Sequence, residues 1–215
     1  MFGGYTPNSG CVADTWTWNG STWQQVSTPN APLGRAYFGI AYDSIRGRTV
    51  VHGGLGNSLA LLGDTWEFDG QNWAQSLANG PGGRRGPAMT FDDTRGKVVL
   101  FGGGDGTQTF GDTWTYDGST WTQRATAIAP SPRWQAQMEH DTLCGRAVLH
   151  GGVDAALANN YGDSWAWDGT AWTQLAGTSP VGRHGAATAF DAQKVQTILW
   201  GGRDRLIPPS VAEQF

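Results

Sequence analysis

Short runs of alternating apolar and polar residues recur along the chain. In four of them an aromatic residue stands at every second position, with Thr, Glu or Ala between: Trp16/Trp18, Trp66/Phe68, Trp114/Tyr116 and Trp165/Trp167. A period of two is typical of a β-strand. An Asn-Gly or Asp-Gly pair follows each run, and a second Trp comes next, at Trp23, Trp73, Trp121 and Trp172. Such a pair between two strand-like runs indicates a hairpin, whose strands are named C and D.

Two further strands, A and B, are predicted before strand C. Strand A runs from an Arg to an Asp eight residues later, at 35–43, 84–92, 133–141 and 183–191. Strand B ends at a Gly-Gly pair, at 49–52, 98–101, 147–150 and 197–200. The Gly-Gly pair returns every 49 or 50 residues, which is the period of propeller-like repeats.

Four antiparallel strands per repeat and no helical pattern predict an all-β fold. We expect a β-propeller of four-stranded antiparallel blades over 1–203, followed by a C-terminal tail over 204–215. The chain holds about four blades, as a closed four-bladed ring or an open partial propeller. Because the Gly-Gly pairs at 3–4 and 201–202 would compete for one strand B position in a closed ring, we expect a piece of a longer array.

The repeat resembles the Kelch-repeat family. The resemblance rests on the Gly-Gly that ends one strand, the aromatic residue in the next and the Trp about six residues further on, as in Gly53-Gly54, Trp66 and Trp73. It implies a non-catalytic interaction scaffold that binds a protein or a glycan. The composition is similar to that of bacterial secreted or surface Kelch arrays, which implies an extracellular or cell-surface location.

The likeness to the propeller of galactose oxidase does not extend to its copper site. Nothing in the sequence places Cys11 or Cys144 beside a Tyr, and no two His residues have metal-ligand spacing. We therefore predict no metal and no cofactor.

Two connections vary in length between repeats, the B–C and D–A loops, and alternating strand direction puts both on one face. Loops that vary on a fixed scaffold often bind ligands. A ring of four arginines on that face is one candidate ligand site, and the alternative is that each pairs with a repeated Asp. Single-repeat residues are further candidates for selectivity. The ligand-binding candidates are Arg35, Arg84, Arg133, Arg183, Tyr5, Asn57, Asp105, Asp154, Tyr161 and Gln137.

The repeat that begins at Arg133 departs most from the others. It has Gln137 and Glu139 where the other repeats have Gly, Ala or Thr, and His140 follows. Because strand A is expected beside the central channel, these side chains are candidates for a channel site. A carboxylate and an imidazole there would suit the alternative function, an enzyme of the epimerase or oxidase-like Kelch type acting on a sugar or small acid, with Glu139 and His140 as acid and base.

Charge and hydropathy exclude other classes. The chain has 14 basic and 18 acidic residues and no basic stripe, so nucleic acid is not an expected partner. The longest apolar stretches, such as 59–62, are far shorter than the roughly 20 residues of a membrane span. The first residues lack the pattern of a signal peptide. The remaining expected partners are further propeller blades or another copy that completes a ring.

Overall fold

The computed structural model describes residues 1–204, so most of the predicted tail over 204–215 lies outside the described residues. One 3-10 helix, Asn57–Leu59, accompanies twenty strands in this part of the chain. The strands are Tyr5–Thr6 (β1), Gly10–Cys11 (β2), Thr15–Trp18 (β3), Trp23–Val26 (β4), Arg35–Ala36 (β5), Gly39–Asp43 (β6), Arg48–His52 (β7), Leu55–Gly56 (β8), Thr65–Phe68 (β9), Trp73–Ser76 (β10), Ala88–Asp92 (β11), Lys97–Phe101 (β12), Thr113–Tyr116 (β13), Trp121–Arg124 (β14), Gln137–Asp141 (β15), Arg146–His150 (β16), Ser164–Trp167 (β17), Trp172–Gln174 (β18), His184–Asp191 (β19) and Gln196–Arg203 (β20).

The strands form three complete four-stranded antiparallel sheets, each in the order A-B-C-D. They are sheet 2 (β6, β7, β9, β10), sheet 3 (β11 to β14) and sheet 4 (β15 to β18). Two smaller sheets flank them in sequence. Sheet 1 consists of β3 and β4, strands C and D, and sheet 5 of β19 and β20, strands A and B. The all-β prediction and the four-stranded antiparallel repeat are confirmed.

Neighbouring sheets meet through their A strands. Strand β6 contacts β11, β11 contacts β15, and β15 contacts β19. Within residues 1–204, sheet 5 is not hydrogen-bonded to sheet 1, so these residues do not form a closed ring. The expectation of a closed four-bladed ring is therefore not met in the described part of the chain.

The second Trp of sheets 2, 3 and 4 ties each of these sheets to the one before. Trp121 is 4% exposed, stacks on Tyr116 with 4.9 Å between ring centroids, and donates its indole N–H to Thr65 Oγ1 of sheet 2 at 2.9 Å. Equivalent bonds join Trp73 to Thr15 and Trp172 to Thr113. Each sheet therefore completes its core with a residue of its neighbour, as in other repeat proteins.

Strand A is shorter than predicted in the three complete sheets. It begins four residues after the Arg, at Gly39, Ala88 and Gln137, and a residue with positive φ lies between the Arg and the strand. The Arg itself lies in the D–A loop, where Arg35 pairs with Gly56 of the B–C loop. The two variable loops of a repeat therefore lie on one face, as predicted.

Candidate functional site

The repeated arginines are buried in ion pairs. Arg84 is 3% exposed, and its guanidinium donates to both carboxylate oxygens of Asp112, at 2.7 and 3.0 Å. It also donates to the carbonyl oxygen of Gly102 at 2.8 Å, where strand B ends, and lies over the ring of Phe110. One guanidinium thus joins strands A, B and C of one sheet. The same bonds link Arg35 with Asp64 and Gly53, and Arg133 with Asp163 and Gly151.

These ion pairs keep the aspartates charged. Burial of the Asp112 carboxylate opposes its ionisation, but hydrogen bonds from Arg84 and Trp114 outweigh burial and hold the pKa of Asp112 below its ordinary value. Because the donors of Arg35, Arg84 and Arg133 already meet carboxylates and carbonyls, the geometry favours a structural role for these three. Their predicted contact with a ligand stays a prediction.

The fourth arginine differs. Arg183 donates to the carbonyl oxygen of Gly201 at 3.0 Å, but no carboxylate within residues 1–204 pairs with it, because sheet 5 has no strand C there. Asp14, which precedes strand C of sheet 1, accepts the indole N–H of Trp16 at 2.6 Å and has no arginine partner in the same part of the chain. Arg183 and Asp14 are therefore the two unmatched halves of the repeated ion pair.

Two loop candidates near the N-terminus lie side by side. The side-chain amide of Asn57 accepts from the Cys11 backbone N–H at 2.9 Å and donates to the Cys11 carbonyl at 3.3 Å. Asn57 thus joins the B–C loops of the first two repeats. Tyr5, in the β1–β2 hairpin of the first of these loops, is 42% exposed.

The other loop candidates stabilise their own loops. Asp105 caps a turn by accepting from Thr107 and Gln108, and these bonds hold its pKa below the ordinary value. Asp154 caps the equivalent turn of the next repeat by accepting from the backbone N–H of Ala158 at 2.8 Å. Tyr161 stacks under the guanidinium of Arg133, at 3.9 Å from its ring centroid.

A series of hydrogen-bonded peptides with positive φ crosses from sheet to sheet where the A strands meet the variable loops. The residues two positions after the arginines all have positive φ: Tyr37 (54°), Gly86 (61°), Gln135 (54°) and Gly185 (63°). Each donates its backbone N–H to the carbonyl of the preceding member, at 2.6, 2.8 and 3.1 Å along the series. A positive φ is unfavourable for bulky residues such as Tyr and Gln, and such strain concentrates at functional sites.

The side chains beside this chain of peptides form a mixed aromatic and basic cluster, here called the mouth cluster: Tyr37, Arg85, Trp134 and Gln135. The Arg85 guanidinium lies over the Trp134 ring at 4.6 Å, and Tyr37 meets the same ring edge-on at 6.3 Å. Three repeats contribute to it. Tyr37, Arg85 and Trp134 were not among the predicted ligand-binding residues. Their signal in the sequence is that the residues just after the invariant Arg change in every repeat.

A groove of about 420 Å³ runs along the A strands at their other end, towards the A–B turns. All four A strands line it, and Glu139 and His140 belong to its wall. Burial raises the pKa of Glu139 above its ordinary value. Gln137 is the first residue of the same strand, at the end away from the A–B turn, and its side-chain amide donates to the Gln135 carbonyl at 3.5 Å.

Glu139 and His140 are neighbours on strand β15, so their side chains leave opposite faces of sheet 4. His140 is 4% exposed and faces sheet 3, where its Nε2 lies 3.5 Å from Thr94 Oγ1 and 3.8 Å from Asp92 Oδ1. Glu139 shares its face with Gln137, on the side of sheet 5. Both residues belong to the wall of one groove, but only Glu139 is on the face away from sheet 3, so the joint acid and base role predicted for them stays a prediction.

No family model matches the sequence, and no curated protein matches it. Within residues 1–204 there is no helix with the length and apolar character needed to cross a bilayer.

Proposed function

We propose that the chain is a Kelch-type β-propeller scaffold that binds a protein or glycan ligand through its variable-loop face. The blades are sheets 1 to 5. Three points support the propeller: the A-B-C-D order of the complete sheets, the contact of successive A strands, and the Trp that bonds each sheet to the one before. Radial repetition of four-stranded blades is the architecture that combines these features.

The mouth cluster carries the binding proposal. Trp, Tyr and Arg are the residues most enriched at binding hot spots, and here all three meet where the A strands join the variable loops. The backbone beneath them is fixed by the inter-sheet hydrogen bonds of Tyr37, Gly86 and Gln135, so the cluster is preorganised. A peptide side chain or a sugar ring can stack on the indole while Arg85 binds an acidic group.

The end sheets supply the second part of the proposal, in which two copies of the chain complete one ring. In the complete sheets the Arg four residues before strand A binds the Asp before strand C. The corresponding residues of the end sheets, Arg183 and Asp14, are separated from each other. A second pair of residues, one from each end of the chain, supports the same association of two copies. Trp23 is 53% exposed, and Ser164 stands at the repeat position whose hydroxyl accepts a Trp N–H elsewhere.

Strands β19 and β20 of one copy with β3 and β4 of the other make one four-stranded blade. Residues 1–3 of the same chain now lie along β3: Met1 exchanges backbone hydrogen bonds with Trp16, and Gly3 donates to the Asp14 carbonyl at 3.1 Å. The proposed pairing therefore requires strand β20 of the second copy to displace this short segment. Trp200, 78% exposed, stands at the repeat position of Phe2 and would replace it against Trp73. Each copy supplies three complete sheets and half of two shared ones, which makes a ring of eight blades, within the usual range.

The binding proposal is tested with a pair of aromatic variants. Immobilised wild-type chain is screened against arrays of glycans and of short peptides, and every retained ligand is measured again with Trp134→Ala. We expect a loss of affinity of about thirtyfold or more, because hot-spot aromatics contribute at least about 2 kcal/mol and 1.4 kcal/mol is tenfold in affinity. The matched control is Tyr42→Ala, an aromatic residue that is 61% exposed at the groove end of strand β6.

If retained ligands lose affinity with Tyr42→Ala and not with Trp134→Ala, the binding site lies on the face that carries the A–B and C–D turns, and the proposal is wrong about its place. No retained ligand in either array would contradict the scaffold function. The enzyme alternative stays a prediction, and the placement of the Glu139 and His140 side chains on opposite faces of sheet 4 favours the scaffold over it. The extracellular or cell-surface location rests on the family resemblance and remains part of the proposal.

A further inference from the structure

A cavity of about 190 Å³ lies between sheets 3 and 4, near the A–B and C–D turns and away from the mouth cluster. Three cationic side chains line it: Arg95, Lys97 and Arg124. The lining has one carboxylate, Asp92, which already accepts from Arg95 Nη1 at 2.8 Å. The cavity is therefore rich in positive charge.

The equivalent position between sheets 2 and 3 shows how the same scaffold balances this charge. There Glu67 takes the repeat position of Thr115, and its carboxylate accepts from Arg46 Nη1 at 2.8 Å. Arg46 also donates to Asp43, at 2.6 Å, so its guanidinium lies between two carboxylates. Tyr116 donates its hydroxyl proton to Ser76 Oγ at 3.0 Å. Each charged or hydroxyl group named here has a partner, although the Nη2 atom of Arg46 has none in the described structure.

Two of these positions change charge in the cavity. Thr115 replaces Glu67, which removes one negative charge, and Arg124 replaces Ser76, which adds one positive charge. Arg124 donates its Nε–H to Thr115 Oγ1 at 2.9 Å and meets no carboxylate within residues 1–204. Relative to the position between sheets 2 and 3, the cavity is more positive by two charges.

A buried donor in the cavity wall also lacks an acceptor. Trp167 stands at the repeat position of Tyr116, its side chain is fully buried at 0% exposure, and its indole nitrogen has no hydrogen-bond partner in the described structure. An unpaired buried donor is costly, so such groups in native proteins usually have a partner such as a ligand, an ion or a water molecule.

The nearest carboxylates of the neighbouring turns have other partners. Asp117 accepts from the backbone of Ser119 and Thr120, at 2.9 and 2.8 Å. Asp168 accepts from the backbone of Thr170 and Ala171, both at 2.8 Å. These bonds close the C–D turns. Within residues 1–204, Lys97 interacts with Asp117 through its charge without forming an ion pair, and Arg124 donates to Thr115 rather than to a carboxylate.

We propose that this cavity binds a small carboxylate, of monosaccharide size or less, in the place that the Glu67 side chain fills between sheets 2 and 3. Arg95 and Arg124 hold the carboxylate oxygens, and the Trp167 indole N–H donates to one of them. The site is separate from the mouth cluster and does not depend on the loop-face function.

The Trp167 indole N–H resonance reports directly on the site. It is assigned in a ¹H–¹⁵N NMR spectrum by comparison with Trp167→Phe, and the full-length chain is titrated with acetate and glucuronate at constant ionic strength. We expect a saturable shift with either carboxylate and none with glucose. Inorganic phosphate separates a carboxylate site from a general anion site, and a shift with phosphate alone would overturn the proposal.

The double variant Thr115→Glu/Arg124→Ser installs the residues of the equivalent position between sheets 2 and 3. It supplies an internal carboxylate, so the response to acetate and glucuronate is expected to disappear while the chain stays folded. Arg124→Gln removes one charged donor and is expected to weaken binding by about tenfold, the effect of one charge-assisted hydrogen bond. Absence of a carboxylate shift in the wild type, or an unchanged shift in the double variant, would overturn the proposal.

Discussion

Replacing Arg84 by Ala is expected to lower the free energy of unfolding by about 3–5 kcal/mol, the effect of removing one partner of a buried ion pair. The substitution leaves the Asp112 carboxylate, 21% exposed, without its two guanidinium donors, and only the Trp114 indole N–H still donates to it from a side chain. It also leaves the Gly102 carbonyl without its side-chain donor. Urea unfolding of variant and wild type at the same protein concentration measures the effect.

The control for Arg84 is an exposed pair in sheet 2. Arg48 lies 3.3 Å from Asp69, and the two side chains are 39% and 37% exposed. Arg48→Ala is expected to cost less than about 1 kcal/mol, because surface ion pairs contribute little. Equal losses in the two variants would contradict a structural role for the repeated arginine.

The Arg84 effect also has a defined pH dependence. The pKa of Asp112 is below its ordinary value of 3.8 in the folded chain. The contribution of the pair is therefore present above pH 3.8 and is lost as the pH falls through the lowered folded-state pKa. The difference between wild type and Arg84→Ala should narrow at acid pH.

Trp121→Ala is the second substitution with a large expected effect, also about 3–5 kcal/mol. It opens a cavity between sheets 2 and 3, where the indole contacts Tyr116 and His52 at centroid distances of 4.9 and 5.3 Å. It also removes the donor to Thr65 Oγ1. Because the side chain fills the space between two sheets, loss of stability should extend beyond sheet 3.

Urea unfolding again measures the Trp121 effect, with Trp121→Phe as a second variant that restores most of the volume but not the indole N–H. Tyr42→Ala, which truncates a side chain that is 61% exposed, is expected to change stability by less than about 1 kcal/mol. A Trp121→Ala loss as small as that of Tyr42→Ala would mean that the second Trp does not hold adjacent sheets together.

The sequence predicts the strands well because the features that define them are local and repeated. Alternating aromatics locate strand C, the Asn-Gly or Asp-Gly pair locates the C–D turn, and the Gly-Gly pair locates the end of strand B. The sequence also predicts the Arg–Asp pairing, as the alternative to a ligand site, because the two residues recur together, and Arg35, Arg84 and Arg133 are paired in this way. These features do not show whether sheet 1 and sheet 5 meet, since that depends on the angle of rotation between neighbouring sheets.

The mouth cluster and the cavity were missed for different reasons. A positive φ at Tyr37 and Gln135 is unexpected for those residue types, and the available signal was that Gly86 and Gly185 hold the same repeat position. The cavity arises from a combination of changes, at Thr115 and Arg124, that are ordinary one at a time. They can be recognised as part of one site only when the structure shows that Trp167 of the next sheet lies beside them.

The proposal that the sheets are blades of one ring, completed by a second copy, is tested most directly by the solution mass of the chain measured with light scattering. We predict twice the mass of one chain for the wild type, and a single-chain mass for both Arg183→Asp and Asp14→Arg. The double variant Asp14→Arg/Arg183→Asp restores opposite charges across the shared blade and should return to the doubled mass. A wild type that stays at the mass of one chain at every concentration, or single variants that keep the doubled mass, would contradict the account.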